Sequence, residues 1–124
     1  MAIRVFIADD SDVMRAAIAR TVTADTALEV VGEAASFAET LERVGTLKPD
    51  IVLLDLHMSD ESRYLPEIVK APLLENSGCV LAISIWNDED AKALAKRLGA
   101  VTLLDKANLF SNLISSIKLY CMKD

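Results

Sequence analysis

The chain has 124 residues, which predicts one domain spanning residues 1–124. Hydrophobic residues make up 52% of it and charged residues 26%, a composition that excludes an intrinsically disordered protein. Thirteen Lys and Arg against nineteen Asp and Glu give a net charge of −6, which argues against binding of nucleic-acid phosphates. We therefore expect no direct nucleic-acid partner.

The chain carries few signals of export, metal binding or disulfide bonding. Its first residues lead directly into a strand-like segment, without the parts of a secretion signal. No apolar run approaches the ~20 residues of a membrane span, so we expect a cytoplasmic protein that is not inserted into a membrane. Cys79 and Cys121 form neither a disulfide framework nor a ligand motif, and we expect both to be packing residues. A single histidine, His57, argues against a zinc site.

The first third of the chain predicts a strand, a helix and a second strand. Residues 3–8 are strand formers, and residues 28–32 are a second short apolar run. Between them, apolar residues recur every four positions, as on one face of a helix, at Met14, Ile18 and Val22. Ser11 or Asp12 would cap this helix.

The middle of the chain predicts a helix, a buried strand and an irregular helix. Residues 36–39 have the spacing of a capping box, and Gly45 is expected just past the end of that helix. Residues 51–54 predict the most clearly buried strand, which ends at Asp55. Because Pro72 should end or kink a helix, we expect the third helix to be short or irregular.

The last third predicts two more strand–helix pairs. The strands are expected at residues 79–83 and 101–104, and the helices at 88–98 and 108–122. Apolar strands without alternation are typical of a parallel sheet that is covered on both faces. Five βα units therefore predict an α/β fold with a five-stranded, doubly wound parallel sheet and five helices on both faces.

Polar side chains follow four of the five predicted strands. They are Asp9 and Asp10, Asp55, Ser84 and Lys106. In a doubly wound sheet these strand ends share the edge where ligands bind. Three converging carboxylates repel one another unless a cation is present, and Mg²⁺ prefers oxygen ligands. The pattern predicts a Mg²⁺ site with a carboxylate nucleophile for phosphoryl transfer, beside a lysine and a hydroxyl that contact phosphoryl oxygens.

Over its whole length the chain resembles the receiver domain of a two-component response regulator. The resemblance rests on the Asp9-Asp10 pair, on Asp55 in the segment Asp-Leu-His-Met, and on Ser84 and Lys106 at the family's intervals. It implies the flavodoxin-like strand order 2-1-3-4-5. The segments around Asp55 and Ser84 most resemble receivers of LuxR-type regulators. Without an output domain, the chain is either a stand-alone receiver or a piece trimmed from a longer regulator, and the absence of a tail or linker favours the first.

The resemblance also implies a role for each site residue. Asp55 would accept a phosphoryl group from the phosphohistidine of a sensor histidine kinase or a phosphotransfer protein. Asp10 and Asp55 would ligate Mg²⁺ directly with the main-chain carbonyl of His57, and Asp9 would act through water. Such a protein assists its own phosphorylation and dephosphorylation and is not a turnover enzyme on a separate substrate.

Two further residues would carry the response. Ser84 would be the switch hydroxyl, and Lys106 would contact the phosphoryl group. Phosphorylation would change the surface around the last two strands and helices, where an unidentified downstream protein or a second copy of the chain would bind. His57 and Trp86 flank the site at positions that tune water access in the family, and both are bulky, so we expect slow self-dephosphorylation.

Four positions depart from the family's pattern. Ser59 and Ala107 replace prolines, Arg63 replaces a glycine, and Leu103 replaces the aromatic residue that couples to the switch hydroxyl. These departures motivate an alternative, a receiver-like protein-binding module that signals without phosphorylation. A small-molecule phosphatase is disfavoured, since no acid stands two positions after the nucleophile.

Overall fold

The structure, a computed structural model, describes residues 2–61 and 66–122, apart from the side chains of residues 66–69 and 71. Five strands alternate with five helices. They are β1 (Ile3–Ala8), α1 (Asp12–Thr23), β2 (Leu28–Ala34), α2 (Phe37–Leu47), β3 (Ile51–Asp55), α3 (Pro66–Asn76), β4 (Cys79–Ser84), α4 (Glu89–Arg97), β5 (Thr102–Asp105) and α5 (Leu109–Cys121). A 3₁₀ turn at Lys106–Asn108 leads from β5 into α5.

The strands form one parallel sheet in the order β2-β1-β3-β4-β5, as the sequence predicts. Two apolar layers cover it. One layer is formed with α1 and α5, through residues such as Ile18 and Leu113. The other is formed with α2, α3 and α4, through residues such as Phe37 and Leu73. The prediction of helices on both faces is confirmed, and it explains why β3 and β4 are buried at every position.

Local capping follows the predictions closely. The Ser11 hydroxyl accepts a hydrogen bond from the Met14 amide at the start of α1, so the serine is the cap. In α2 the Glu39 amide donates to the Ser36 hydroxyl at 3.1 Å. The fourth helix ends before Gly99, whose φ of 82° is the left-handed conformation that favours glycine.

The second and third helices differ from their predicted ends. Gly45 lies inside α2, which continues to Leu47 and ends where Lys48 adopts a left-handed φ of 48°. A proline, Pro72, lies inside α3, which continues to Asn76. The expectation of a short helix is wrong: the helix continues past the proline, where Leu73 is buried and the Asn76 side chain donates to the Pro72 carbonyl. An irregular geometry at the proline stays a prediction.

The expectation that the two cysteines are only packing residues is also wrong. Cys79 and Cys121 form a disulfide, with Cα atoms 5.7 Å apart across 42 residues of sequence. Cys79 begins β4 at the amino edge of the sheet, and Cys121 ends α5, which runs back to that edge. The number and spacing of two cysteines contain no signal of such a pairing.

Candidate functional site

The register of the central strands brings three polar segments to one edge of the sheet. Ala8 pairs with Leu54, so Asp9 follows β1 at the level where β3 ends in Asp55. The neighbouring pair in β3 and β4 is Asp55 and Ile83, so Ser84 lies one residue further along. The predicted site residues therefore meet at the carboxyl edge, where doubly wound sheets bind ligands.

Three carboxylates and one ammonium group form the centre of this site. Oxygens of Asp9, Asp10 and Asp55 lie within 4.8 Å of one another. Asp9 and Asp55 are buried and Asp10 is exposed. Lys106 Nζ lies 2.9 Å from Asp9 Oδ2 and 3.2 Å from Asp55 Oδ2. The lysine thus bridges the ends of β1 and β3 from the turn that follows β5.

Burial and neighbouring charge shift two pKa values in the site. Burial, together with the nearby charge of Asp9, raises the pKa of Asp55 against the opposing effects of the His57 amide and Lys106. For Lys106, burial disfavours the charged form, but Asp9 and Asp55 outweigh it and the pKa is raised. The surroundings therefore favour the charged form of Lys106 and disfavour the charged form of Asp55.

The donor set fits a hard divalent cation. Asp9 Oδ1 accepts a hydrogen bond from the Ser11 amide, and Asp55 Oδ1 accepts one from the His57 amide at 3.0 Å. Asp9 Oδ2 is buried and, among the described residues, accepts no well-aligned hydrogen bond besides its ion contact with Lys106. Carboxylate oxygens grouped within 4.8 Å of one another are ligands of the kind that Mg²⁺ prefers in proteins.

The hydroxyl of Ser84 is held by two groups. It is buried, its Oγ accepts a hydrogen bond from the Trp86 amide at 3.0 Å, and His57 Nε2 lies 3.2 Å from it. The other ring nitrogen of His57 lies 3.2 Å from Glu61 Oε2. The His57 and Trp86 rings meet edge to face, with centroids 4.5 Å apart. These contacts of the His57 ring were not predicted from the sequence, because Glu61 and Trp86 lie in loops without periodicity.

The loop after β3 is tied to the second helix by a residue that the sequence analysis missed. The two carboxylate oxygens of Asp60 accept hydrogen bonds from the Phe37 and Ala38 amides, at 2.9 and 3.1 Å. A carboxylate at a helix amino terminus is favourable because it complements the helix dipole. The only sequence signal is an acidic residue in the loop five positions after Asp55.

Three of the four departures from the family's pattern fall on described residues. Ser59 is exposed in the loop after β3, and Leu103 is half-buried in β5. The Ala107 amide donates to Asp105 Oδ1 at 2.9 Å, a bond that proline could not make. The peptide bonds of the described residues are trans. Arg63 lies outside the described residues.

A sequence model of the response regulator receiver domain matches residues 5–118. The chain belongs to this family. It is 33% identical over 111 residues to a protein-glutamate methylesterase/protein-glutamine glutaminase of Anaeromyxobacter dehalogenans, a match that covers 90% of this chain and 32% of that protein. The receiver chain thus spans about a third of the length of the curated relatives it matches first.

Solved receiver structures agree with the fold. The response regulator domain of Thermotoga maritima CheB superposes with a TM-score of 0.83 at 26% identity, covering 100% of this chain and 99% of that one. The receiver domain of Mycobacterium tuberculosis NarL superposes with a TM-score of 0.80 at 25% identity, covering 94% and 93%. These findings confirm the resemblance to receivers of two-component systems and the predicted fold. Among the described residues, no helix is long and apolar enough to span a membrane.

Proposed function

We propose that this receiver is a phosphoacceptor switch in which Asp55 takes a phosphoryl group from a phosphohistidine. The observation that carries the proposal is the bridge of Lys106 Nζ between Asp9 and Asp55, at 2.9 and 3.2 Å. This arrangement holds a fixed positive charge beside the carboxylate that would be phosphorylated. Positioning and charge stabilisation are the main contributions a protein makes to phosphoryl transfer.

The transfer exchanges one bond to phosphorus for another. A carboxylate oxygen of Asp55 forms the new bond, and the bond from phosphorus to the imidazole nitrogen of the donor breaks. The electron pair of the broken bond stays on that nitrogen, which takes up a proton. Lys106 contacts the phosphoryl oxygens and balances their charge. The donor would be a sensor histidine kinase or a phosphotransfer protein.

A Mg²⁺ ion would be held by the carboxylates of Asp9, Asp10 and Asp55 and by the main-chain carbonyl of His57. The oxygens of the three carboxylates lie close enough together for one cation, and the charge on Asp55 is otherwise disfavoured. When bound, the ion supplies positive charge that offsets the charge of the phosphoryl oxygens. Ser84 would contact a phosphoryl oxygen once its hydroxyl turns away from its present partner.

The product of this reaction would be a changed surface and not a released molecule. We propose that the phosphorylated receiver binds a downstream protein or a second copy of itself, and that it does not act as a turnover enzyme. The alternative is a receiver-like binding module that signals without phosphorylation. The replacement of the family's aromatic residue by Leu103 favours that alternative, since it removes the usual coupling to the switch hydroxyl.

Intact-mass analysis tests the proposal directly. The protein is incubated with Mg²⁺ and either acetyl phosphate or phosphoramidate, which carries a phosphorus–nitrogen bond as phosphohistidine does. We expect the mass of one added phosphoryl group with at least one donor. When EDTA removes the cation before the donor is added, we expect no added mass. The Asp55→Asn variant should gain no mass.

Asp50→Asn is the matched control. It makes the same chemical change directly before β3, at the opposite edge of the sheet, where the Asp50 carboxylate accepts a hydrogen bond from the Arg4 amide. This variant should be phosphorylated as the unaltered protein is. If the unaltered protein gains no mass from either donor, the proposal is wrong and the phosphorylation-independent binding module takes its place.

A further inference from the structure

His57 connects three segments around the site. Its main-chain amide donates to Asp55 Oδ1 at 3.0 Å, and its ring lies between Glu61, Ser84 and Trp86. Glu61 belongs to the loop after β3, whereas Ser84 and Trp86 belong to the end of β4 and the loop that follows it. The ring is half-buried, so it is shielded from water on part of its surface.

The partners of the His57 ring determine which atom carries each hydrogen. A carboxylate only accepts hydrogen bonds, so Nδ1, 3.2 Å from Glu61 Oε2, is the donor in that contact. With the ring hydrogen on Nδ1, Nε2 is the acceptor, and the Ser84 hydroxyl donates to it. The Ser84 oxygen in turn accepts the Trp86 amide proton. Every donor in this series of hydrogen bonds has an acceptor, and the Ser84 hydroxyl hydrogen is directed toward His57.

We infer that His57 is a positioning residue that holds the Ser84 hydroxyl until the phosphoryl group arrives. When the hydroxyl turns to the phosphoryl group, the His57 ring is released and changes its packing against Trp86. The inference rests on the proposed function, in which Ser84 contacts a phosphoryl oxygen. The hydroxyl has one proton, so donating it to phosphate breaks the bond to His57. The freed imidazole then repacks against the Trp86 ring, its neighbour at 4.5 Å.

This relay ends at the protein surface. Trp86 is 53% exposed. Together with His57 it lines a cavity of about 270 Å³ whose other walls come from α4 and its N-cap, at Asp88, Asp90, Ala91 and Leu94. Repacking of the two rings therefore changes the shape of this cavity. The relay provides a connection from the site to the surface in a receiver where Leu103 stands in place of an aromatic residue on β5.

His57→Phe separates the hydrogen bond from the ring contact. Phenylalanine keeps an aromatic ring beside Trp86 but cannot bind the Ser84 hydroxyl, whereas His57→Gln offers an amide that can. We measure the rate of phosphorylation by acetyl phosphate with saturating Mg²⁺, and the change in fluorescence of Trp86, the only tryptophan, on adding beryllofluoride.

The Phe variant should be phosphorylated about five-fold faster, the factor that corresponds to one net hydrogen bond, and should lose most of the fluorescence change. The Gln variant should restore the slower rate.

Ser84→Ala completes the test as a double-mutant cycle. In that background, His57→Phe should change neither the rate nor the fluorescence further, because the bond it removes is already absent. The inference is overturned if the unaltered protein is phosphorylated and His57→Phe keeps its rate and fluorescence change, or if the effect of His57→Phe is the same with and without the Ser84 hydroxyl. If His57→Phe does not fold, a full fluorescence change in Ser84→Ala overturns the inference. Absence of phosphoryl mass on the unaltered protein would instead overturn the proposed function.

Discussion

Asp50 and Asp55 stand at the two ends of β3 in opposite environments. Asp50 precedes the strand and is exposed, and its carboxylate accepts a hydrogen bond from the Arg4 amide at 2.8 Å. Asp55 ends the strand with only 1% of its surface exposed, beside the carboxylate of Asp9. The same residue type is therefore a favourable contact at one end of the strand and an electrostatic cost at the other.

The first prediction concerns pH. Because the pKa of Asp55 is raised in the folded state, the folded protein binds more protons than the unfolded chain between the ordinary pKa of 3.8 and the raised one. The contribution of Asp55 to stability is present below pH 3.8 and is lost as the pH rises through the pKa of the folded state. Asp55→Asn should therefore raise the free energy of unfolding at pH 7, by about 0.5–2 kcal/mol, the gain common for stabilising substitutions.

Urea unfolding in EDTA at several pH values checks this prediction. The advantage of Asp55→Asn should shrink as the pH falls and should be gone once both states bind the proton. Asp50→Asn serves as the control and should give no gain at pH 7, since it removes one charged acceptor at an exposed position. An equal gain from both variants would contradict the electrostatic account of the site.

The second prediction compares two glycines. Gly99 has a φ of 82°, and a Cβ there would meet Leu74 at 3.0 Å, so Gly99→Ala should destabilise the fold by about 1–2 kcal/mol. Gly45 lies inside α2, and a Cβ there would meet nothing within 4 Å. Gly45→Ala should therefore stabilise by about 0.5–1 kcal/mol. Thermal unfolding of both variants measures the two changes in stability. Changes of the same sign in the melting temperature would contradict the prediction.

The third prediction concerns the Asp60 cap of α2. Asp60→Ala removes both acceptors of the Phe37 and Ala38 amides and should cost about 1 kcal/mol of stability. Asp60→Asn keeps one acceptor oxygen without the charge, so this variant should lose less stability than Asp60→Ala. Chemical unfolding ranks the three proteins. Equal stability of Asp60→Ala and the unaltered protein would show that these hydrogen bonds contribute nothing.

The fourth prediction concerns the disulfide. The denatured, unreduced protein should contain no thiol that iodoacetamide modifies, and reduction should expose two. Replacing Cys79 and Cys121 together by serine should cost about 3–4 kcal/mol, because the cross-link limits the freedom of the unfolded chain. Urea unfolding of the reduced protein should show a similar loss. Two modifiable thiols before reduction would contradict the cross-link.

The fifth prediction concerns the lifetime of the phosphoryl group. His57 and Trp86 pack together beside Ser84. If Asp55 is phosphorylated as proposed, we expect these two rings to limit the approach of water to it. We expect dephosphorylation to take minutes or longer, and replacing both residues by alanine should shorten it. The decay is followed by intact mass after the phosphodonor is removed. A lifetime of seconds in the unaltered protein would argue against shielding.

The order of elements and the location of the site were predictable from local patterns. Apolar runs such as residues 51–54 and caps such as Ser11 act within a few residues, so the sequence contains them directly. The convergence of Asp9 and Asp55 was predictable for a different reason, because parallel strands place their carboxyl ends along one edge whatever the details of packing.

Contacts between distant loops were not predictable in this way. The bond between the His57 ring and Ser84 joins residues 27 apart, and the Asp60 cap joins the loop after β3 to α2 across 23 residues. Both depend on how the loops fold over the edge of the sheet. The end of α2 also differed from prediction, because Lys48 adopts the left-handed conformation that a glycine was expected to provide.

The disulfide makes the last part of the fold a covalent ring. Residues 79–121 contain β4, α4, β5 and α5, and the Cys79–Cys121 bond closes them into a loop. A protease that cuts the backbone once inside this loop leaves the two pieces joined through sulfur. Such a nicked molecule runs as a single chain on a gel without reductant and separates into two fragments only after a thiol is added.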